Sequence, residues 1–327
     1  MRGLWRGVLG ASFAFCMMAS AAAAGQIPQA DRLDLRREYI LANTEFTILH
    51  EIGHVAFQEF DVPLFGHEEE SADTFATILM ILNYGVDVDP KHMDRLLMVS
   101  AEWYDEWKLL DARDAARSYW DEHPLSIQRF YNINCLAFGA NEQMLGLLLD
   151  HPSDLLPVER GWFCDREFAR AKAATFWLYN RYRKMPATPG SGERPRTPMI
   201  TVTYDEPETE EVRQAYALIR SAGIAERIAQ RLDELIAWPH PISINFVSCG
   251  ASTEAYFNER VRGIFICAGL ITQFGQMADY QASQDSTKLC NNLAIRHVMG
   301  DRLGCESEVA KGASGPGRTP AAPIRAR

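Results

Sequence analysis

Residues 47–57 read TILHEIGHVAF, which places His50 and His54 four positions apart. Residues four apart on an α-helix lie on one face, about one turn from each other, so both imidazoles can reach a single metal ion. Glu51 then lies beside the ion, where a carboxylate can take a proton from water and deliver it to a leaving amine. The stretch predicts a helix with the metal-binding pattern HExxH.

A five-residue match of this kind arises by chance at roughly the one per cent level in a chain of this length. The alternative is two histidines on a polar helix face with a solvated glutamate between them. Apolar residues surround the triplet, among them Ile48, Ile52 and Val55. They favour a buried helix, in which two imidazoles and a carboxylate without a partner would be costly, and a bound metal removes that cost.

A catalytic zinc site needs a third protein ligand and one open position. Residues 67–76 read HEEESADTFA, and if they begin the next helix, Glu69 and Asp73 share a face. We expect Glu69 to complete the metal shell and Asp73 to accept the ring N–H of a liganding histidine. Glu68 and Glu70 would be displaced by about 100° to either side, so we expect them to face away from the histidines. Three glutamates also suit a helix N-terminus on electrostatic grounds alone, and both roles can hold together.

HExxH followed by a helix with ExxxD resembles the gluzincin metallopeptidases. More closely, the chain resembles a family of bacterial proteins of unknown function that are described as putative metallopeptidases. The matching residues are His50, Glu51, Gly53, His54, Pro63, Gly66, Glu68, Glu69, Ala72 and Asp73, with further matches through 128–132, Cys135, Pro157, Arg160 and Cys164. The resemblance covers about 40–165 and implies hydrolysis of peptide bonds.

One part of the chain departs from the order that the resemblance implies. In that family a Cys-Gly segment, a tyrosine and a short strand ending in cysteine lie before the metal-binding helix. Here the comparable residues are Cys249, Gly250, Tyr256 and 264–267, which follow it. The resemblance also implies that substrate lies along the edge of a small sheet, so one of the strands predicted at 199–204, 242–247 and 263–267 should border the cleft over His50 and His54.

Composition and charge limit the function classes. The 327 residues are 47% hydrophobic and 23% charged, with a net charge of −10 and a pI near 5.4. These values exclude collagen-like, coiled-coil and largely disordered chains. They also disfavour a nucleic-acid binder that neutralises phosphates. We expect a peptide or protein substrate and no nucleic acid.

The first 24 residues have the pattern of a secretory signal. Arg2 and Arg6 precede an apolar run at 8–20, and alanines at 22–24 suit a cleavage site. The alternative is a membrane anchor, but the run is shorter than the roughly 20 residues that a spanning helix needs. We therefore expect a periplasmic or secreted protein without a stable membrane span.

Six cysteines remain after residue 24, an even number that suggests disulfides in an exported protein. They are Cys135, Cys164, Cys249, Cys267, Cys290 and Cys305. Six cysteines allow 15 pairings, and local spacing favours 135 with 164, 249 with 267 and 290 with 305. The cysteine spacing of a zinc ribbon is absent.

Periodicity predicts an α+β fold that is predominantly helical. Residues 33–183 are mostly helical, with helices at about 68–83, 91–119, 125–149 and 159–184. Residues 186–198 form a linker between a helical metallopeptidase-like domain at 25–185 and an α/β part at 199–305 that completes the cleft. In this second part, 209–237 is helical, 242–247 and 263–267 could pair as a hairpin, and 306–327 form a disordered tail.

Our hypothesis is a peptidase with one zinc ion, because two imidazoles and one carboxylate with an open position match the catalytic chemistry of zinc. Tyr131 is a candidate for stabilising the oxyanion, with Arg129 and Asn132 nearby, whereas His123 and the remaining histidines lack ligand spacing. The alternative is a non-catalytic envelope or binding protein that uses a metal only to hold its helices together. Glu51 argues against it, since a structural site needs no general base.

Overall fold

The computed structural model describes residues 27–84, 90–112, 120–141, 156–185, 197–283 and 293–303. These residues form an α+β fold that is predominantly helical, with one small mixed sheet from the C-terminal part, as the sequence predicts. The predicted signal at 1–24, most of the linker, Cys290, Cys305 and the tail lie outside the described residues. Within the described residues, no helix is long and apolar enough to cross a membrane.

The helices are α1 (Gln29–Glu59), α2 (Glu68–Ile81), α3 (Pro90–Ala112), α4 (Ser126–Ala140), α5 (Val158–Gly161), α6 (Cys164–Tyr182), α7 (Glu210–Ala222), α8 (Ile224–Leu235), α9 (Ala268–Ser283) and α10 (Leu293–Leu303). The strands are β1 (Ile200–Tyr204), β2 (Ile242–Val247), β3 (Ala255–Asn258) and β4 (Gly263–Cys267).

Helix α1 is the central element of the fold. It starts after Pro28 and ends before Phe60, and from Tyr39 to Phe57 nearly every residue is buried. Helices α2, α3 and α9 pack around it, and it also contacts β3. A helix that is apolar on most sides is expected to be surrounded in this way. The C-terminal part therefore packs directly on the helix that carries His50 and His54.

Helices α1 and α2 approach each other closely at Gly53. A Cβ atom at this position would lie 3.2 Å from the Ala72 Cα and 3.3 Å from its Cβ. Such contacts are tighter than ordinary side-chain packing, so a small residue is needed on each helix. The close approach brings the first turns of α2, with Glu69 and Asp73, up to the histidines of α1.

The sheet has the order β1-β2-β4-β3, in which β1, β2 and β4 are parallel and β3 is antiparallel to β4. The predicted hairpin of 242–247 with 263–267 is therefore wrong. The connection between these two runs contains β3, which the sequence pattern did not reveal. Strand β3 forms the tight hairpin with β4 instead, through a turn in which Arg262 has a φ of 52°. Parallel pairing of β2 with β4 follows from this longer connection.

Two predicted helices are interrupted by turns. Gly223 has a φ of 58°, and it divides 209–237 into α7 and α8. Glycine adopts this left-handed conformation without a steric cost, and it commonly ends helices. Residues 162–163 likewise separate α5 from α6.

Two disulfides join elements of the fold. Cys135–Cys164 links α4 to the start of α6, and Cys249–Cys267 links the segment after β2 to the end of β4. Both are pairs that local spacing favours. The second closes the loop that leads into β3, so it restrains the position of that strand.

Candidate metal centre and active site

Three side chains from α1 and α2 converge at one point. The His50 and His54 Nε2 atoms are 3.2 Å apart, and the two carboxylate oxygens of Glu69 lie 3.1 Å from His50 Nε2 and 3.5 Å from His54 Nε2. Within the described residues this is the one group of three potential ligands whose atoms all lie within 4.8 Å of one another. The i, i+4 spacing on α1 produces the histidine pair, and the close packing at Gly53 brings in the glutamate.

Each of the two imidazoles has a carboxylate at its Nδ1 atom, on the side away from the converging Nε2 atoms. The Asp73 Oδ1 lies 2.8 Å from His50 Nδ1, and the Glu68 Oε1 lies 2.7 Å from His54 Nδ1. The expectation that Glu68 faces away from the histidines is therefore not met. A carboxylate accepts hydrogen bonds, so each Nδ1 carries the proton and each Nε2 lone pair points into the site.

This arrangement fits a cation. Two imidazole lone pairs and an anionic carboxylate face a common point, and these donors repel one another unless a proton or a metal ion lies between them. Burial works against protonation of His54, but Glu69 and Glu68 outweigh it and raise its pKa to about 9. Two imidazoles and one carboxylate are a ligand set typical of catalytic zinc.

An ion pair supports the site from the far side of Asp73. The Arg129 Nε and Nη2 donate to Oδ2 and Oδ1 of Asp73 at 2.7 and 2.5 Å, and the Arg129 guanidinium lies 3.5 Å from the centre of the Trp103 ring. Burial would raise the pKa of Asp73, but Arg129 and His50 hold it below its ordinary value. The Asp73 carboxylate therefore stays ionised and can accept the His50 N–H.

Glu51 lies beside the three converging side chains in a cavity of about 560 Å³. Only 5% of Glu51 is exposed, and burial raises the pKa of its carboxyl above the ordinary value. A carboxyl group with a raised pKa is suited to both accepting and donating a proton near neutral pH. The cavity is lined by Asn43, Phe46, Thr47, His50, Glu51, Glu102, Trp103, Glu106, His123, Arg129, Thr253, Glu254, Ala255, Tyr256, Leu270, Gln273 and Phe274.

The wall opposite α1 is formed by β3 and the segment before it. Thr253, Glu254, Ala255 and Tyr256 line the cavity, whereas the three strands predicted from the sequence do not. The expectation of a strand at the cleft was therefore assigned to the wrong strands. Strand β3 is the edge of the sheet next to β4, so its outer side has no strand partner among the described residues.

His123 is a site residue that sequence reasoning missed. Its Nε2 lies 3.1 Å from the Glu69 Oε2, and its Nδ1 lies 3.1 Å from Asp121 Oδ1. The same Asp121 oxygen accepts the backbone N–H of His123 at 2.9 Å. His123 lies in the loop before α4, where metal-ligand spacing has no meaning, although the short Asp-x-His segment was a usable signal. An ordinary surface histidine would not be expected to have a carboxylate at each of its two ring nitrogens, as His123 does.

Tyr131 and Asn132 lie elsewhere. They line a second cavity together with Glu70, Gln128, Pro157 and Arg160, and not the cavity of His50 and Glu51. Successive residues on a helix point in different directions, so the orientation of Arg129 toward the site carries Tyr131 away from it. The position of Tyr131 gives no support to an oxyanion role.

Comparison with protein families adds an independent finding. The model of a family described as "putative metallopeptidase" matches residues 14–178 and 204–300, most of the chain. The chain belongs to this family. No curated protein and no solved structure gives a significant match.

Membership of the metallopeptidase family bears on both halves of the chain. The match to residues 204–300 extends beyond the segment 40–165 over which the motif resemblance was apparent, and it includes β3. The family description indicates a hydrolase that uses a metal ion, and the three converging side chains could hold one.

Proposed function

We propose that this protein is a zinc-dependent metallopeptidase in which His50, His54 and Glu69 bind the ion and Glu51 is the general base. The observation that carries the proposal is the convergence of three ligand atoms beside a buried carboxylate in an open cavity. A site that only stabilised the fold would be closed by a fourth protein ligand and would not open into a cleft.

When bound, the ion would polarise the scissile carbonyl and make water acidic enough to react at neutral pH. Glu51 accepts the proton of the attacking water and then delivers it to the leaving amine. Its raised pKa favours both transfers, because a base that is too weak accepts no proton and one that is too strong releases none. Asp73 and Glu68 keep the two imidazoles in the tautomer that presents Nε2 to the ion.

His123 is the residue best placed to stabilise the oxyanion that forms on the carbonyl. It lines the cavity, and the carboxylates of Glu69 and Asp121 raise its pKa, although partial burial opposes them. Both ring nitrogens of His123 face carboxylates, so this role requires the Nε2 proton to turn from Glu69 to the developing negative charge. Arg129 also lines the cavity, but its Nε and Nη2 donate to Asp73, so its role is to position that carboxylate.

The substrate is an extended peptide. The segment from Thr253 to Tyr256 runs along the cavity, and an edge strand can pair with the main chain of a peptide independently of its sequence. Such pairing would hold the scissile bond over His50 and His54. The disulfide at the end of β4 and the contact of β3 with α1 fix this edge.

The same proposal places the protein in the periplasm or outside the cell. The signal pattern at 1–24 and the two disulfides support it, because disulfides persist in oxidising compartments. We also propose that residues 25–185 and 199–305 form two lobes and that the cleft lies between α1 and β3.

Metal analysis of the purified protein, followed by digestion of a peptide library with and without chelator, tests the proposal. We expect one zinc ion per chain and cleavage that stops with chelator and returns with zinc. A protein that binds one ion, loses stability with chelator and cleaves no peptide would instead be the non-catalytic binding protein. That result would refute peptidase activity.

A further inference from the structure

Helix α6 carries an unusual surface at a distance in the chain from the metal centre. Its buried side, which includes Cys164, Phe168 and Leu178, packs mainly on α4 and also on α2. Its solvent side, together with the turn that precedes it, carries large aromatic residues and arginines. This surface, called here the arginine–tryptophan face, consists of Trp162, Phe163, Arg166, Arg170, Trp177 and Arg181.

The helical repeat brings these side chains together. At 100° per residue, Arg166, Arg170, Trp177 and Arg181 fall within about 60° of one another and extend over about 22 Å of the helix. The exposed Ala173 also falls on this side of the helix, whereas the exposed Asp165 and Glu167 lie about 100° to either side of Arg166. The face therefore presents cationic and aromatic groups in one row without an acidic residue in it.

The aromatic side chains project into solvent. Trp162 is 64% exposed, Phe163 is 47% exposed and Trp177 is 50% exposed. Large aromatic residues rarely cluster on a free surface, because each leaves apolar area in water. Two of the arginines lie near these rings, with the Arg166 guanidinium 5.0 Å from the Phe163 ring and that of Arg181 5.8 Å from the Trp177 ring.

The arginines of this face differ from the other arginines of the chain in their ion pairs. Among the residues that the structure describes, no carboxylate forms an ion pair with Arg166, Arg170 or Arg181, whereas Arg36, Arg95, Arg160 and Arg302 all have one. The chain as a whole has a net charge of −10. A row of three unpaired cations on such a chain is complementary to an anionic partner.

We propose that the arginine–tryptophan face binds the surface of a bilayer that contains anionic phospholipid. Guanidinium groups bind phosphate with two parallel hydrogen bonds, and tryptophan is enriched at the boundary between headgroups and acyl chains. A convex helix face with interleaved basic and aromatic residues lies flat on such a boundary. An acidic protein would satisfy the arginines, but it would also need an apolar pocket for each of the three exposed aromatic side chains, whereas the headgroup boundary of a bilayer accepts all of them.

The test is sedimentation of the full-length mature protein with vesicles of phosphatidylglycerol mixed with phosphatidylcholine, and with vesicles of phosphatidylcholine alone. We expect binding to the anionic vesicles that weakens strongly in about 1 M salt, where the screening length is about 3 Å. Each arginine at an anionic surface contributes about fivefold to binding. The variant R166A/R170A should therefore bind about 25-fold more weakly, and Trp177→Ala should also weaken binding.

The matched control is R213A/R231A, which removes two exposed arginines from α7 and α8 and changes the net charge equally. It should bind like the wild type. Equal losses in the two double variants, or no binding of the wild type to anionic vesicles, would overturn the proposal. Binding to an immobilised acidic peptide but not to vesicles would also overturn it, in favour of an acidic protein partner. Circular dichroism of each variant verifies that the fold is retained.

Discussion

Arg129 and Asp73 form a buried ion pair with two hydrogen bonds, although they lie on different helices and 56 residues apart. The same Asp73 carboxylate holds His50, so the pair connects the fold of α4 to the orientation of a proposed metal ligand. Loss of the arginine would leave a carboxylate buried without its partner, which is costly.

We therefore predict that Arg129→Met lowers the free energy of unfolding by about 3–5 kcal/mol. Arg213→Met is the control, because its ion pair with Glu210 is exposed and is worth at most about 1 kcal/mol. Urea unfolding in the presence of chelator measures both without a contribution from metal binding. Equal losses of unfolding free energy in the two variants would show that the buried ion pair stabilises the fold no more than the exposed one.

Glu51 is predicted to act in the chemistry and not in metal binding. Glu51→Gln should keep the zinc content near that of the wild type and lower turnover by at least about a hundredfold, since the amide cannot accept a proton. Metal analysis and peptide hydrolysis of the same preparation provide the two measurements. Hydrolysis at the wild-type rate would refute the role assigned to Glu51.

The three consecutive glutamates of α2 are predicted to differ in their effects on metal affinity. Glu69→Ala should weaken binding most, because it removes a proposed ligand. Glu68→Ala should weaken it by about 10- to 100-fold, since Glu68 holds His54 from behind. Glu70→Ala is the control and should bind like the wild type, because Glu70 lines a different cavity. Competition with a zinc-sensitive dye gives the affinities, and a large loss at Glu70 would contradict this order.

Glu102 is predicted to make stability depend on pH. Burial, together with the nearby carboxylates of Glu106 and Asp105, raises the pKa of Glu102 to about 8, against the hydrogen bond from Tyr39. The folded protein thus keeps a proton that the unfolded chain releases near its ordinary pKa of 4.5. Stability is full below that value and falls as the pH rises toward 8.

Glu102→Gln removes this titration, so the loss of stability between pH 5 and pH 8 should shrink by about 1–3 kcal/mol. Part of the loss should remain, because burial also raises the pKa of Asp105 to about 7. Urea unfolding at both pH values measures the difference, with the exposed Glu234→Gln as control. An unchanged loss in the Glu102 variant would contradict the prediction.

The parts of the site that could be predicted from the sequence follow from helix geometry. His50 with His54, and Glu69 with Asp73, are each four apart, and that spacing alone puts each pair on one face. Arg129 and His123 depend on how α4 and the loop before it pack against α2, and no local pattern encodes that packing. The contact of Glu68 was not predicted, because Glu68 lies about 100° from Glu69 around the helix. Its side chain nevertheless reaches Nδ1 of His54.

The sheet was predicted less well than the helices. Strands β2 and β4 are β-branched runs that the pattern reveals, but β3 has only four residues, Ala255–Asn258, too few for alternation to be visible. Its identity as a strand depends on pairing with β4, which is a tertiary contact. The strand that lines the cleft was thus the one that local sequence could not identify.

The cavity wall at Thr253–Tyr256 is synthesised late, long after the histidines of α1. It is about 200 residues downstream of the histidines of α1, and a ribosome adding 5–20 residues per second needs about 10–40 s to reach it. A growing chain therefore contains every proposed metal ligand long before it contains the surface proposed to hold a peptide. The order of synthesis therefore delays completion of the proposed cleft until nearly the whole chain has been made.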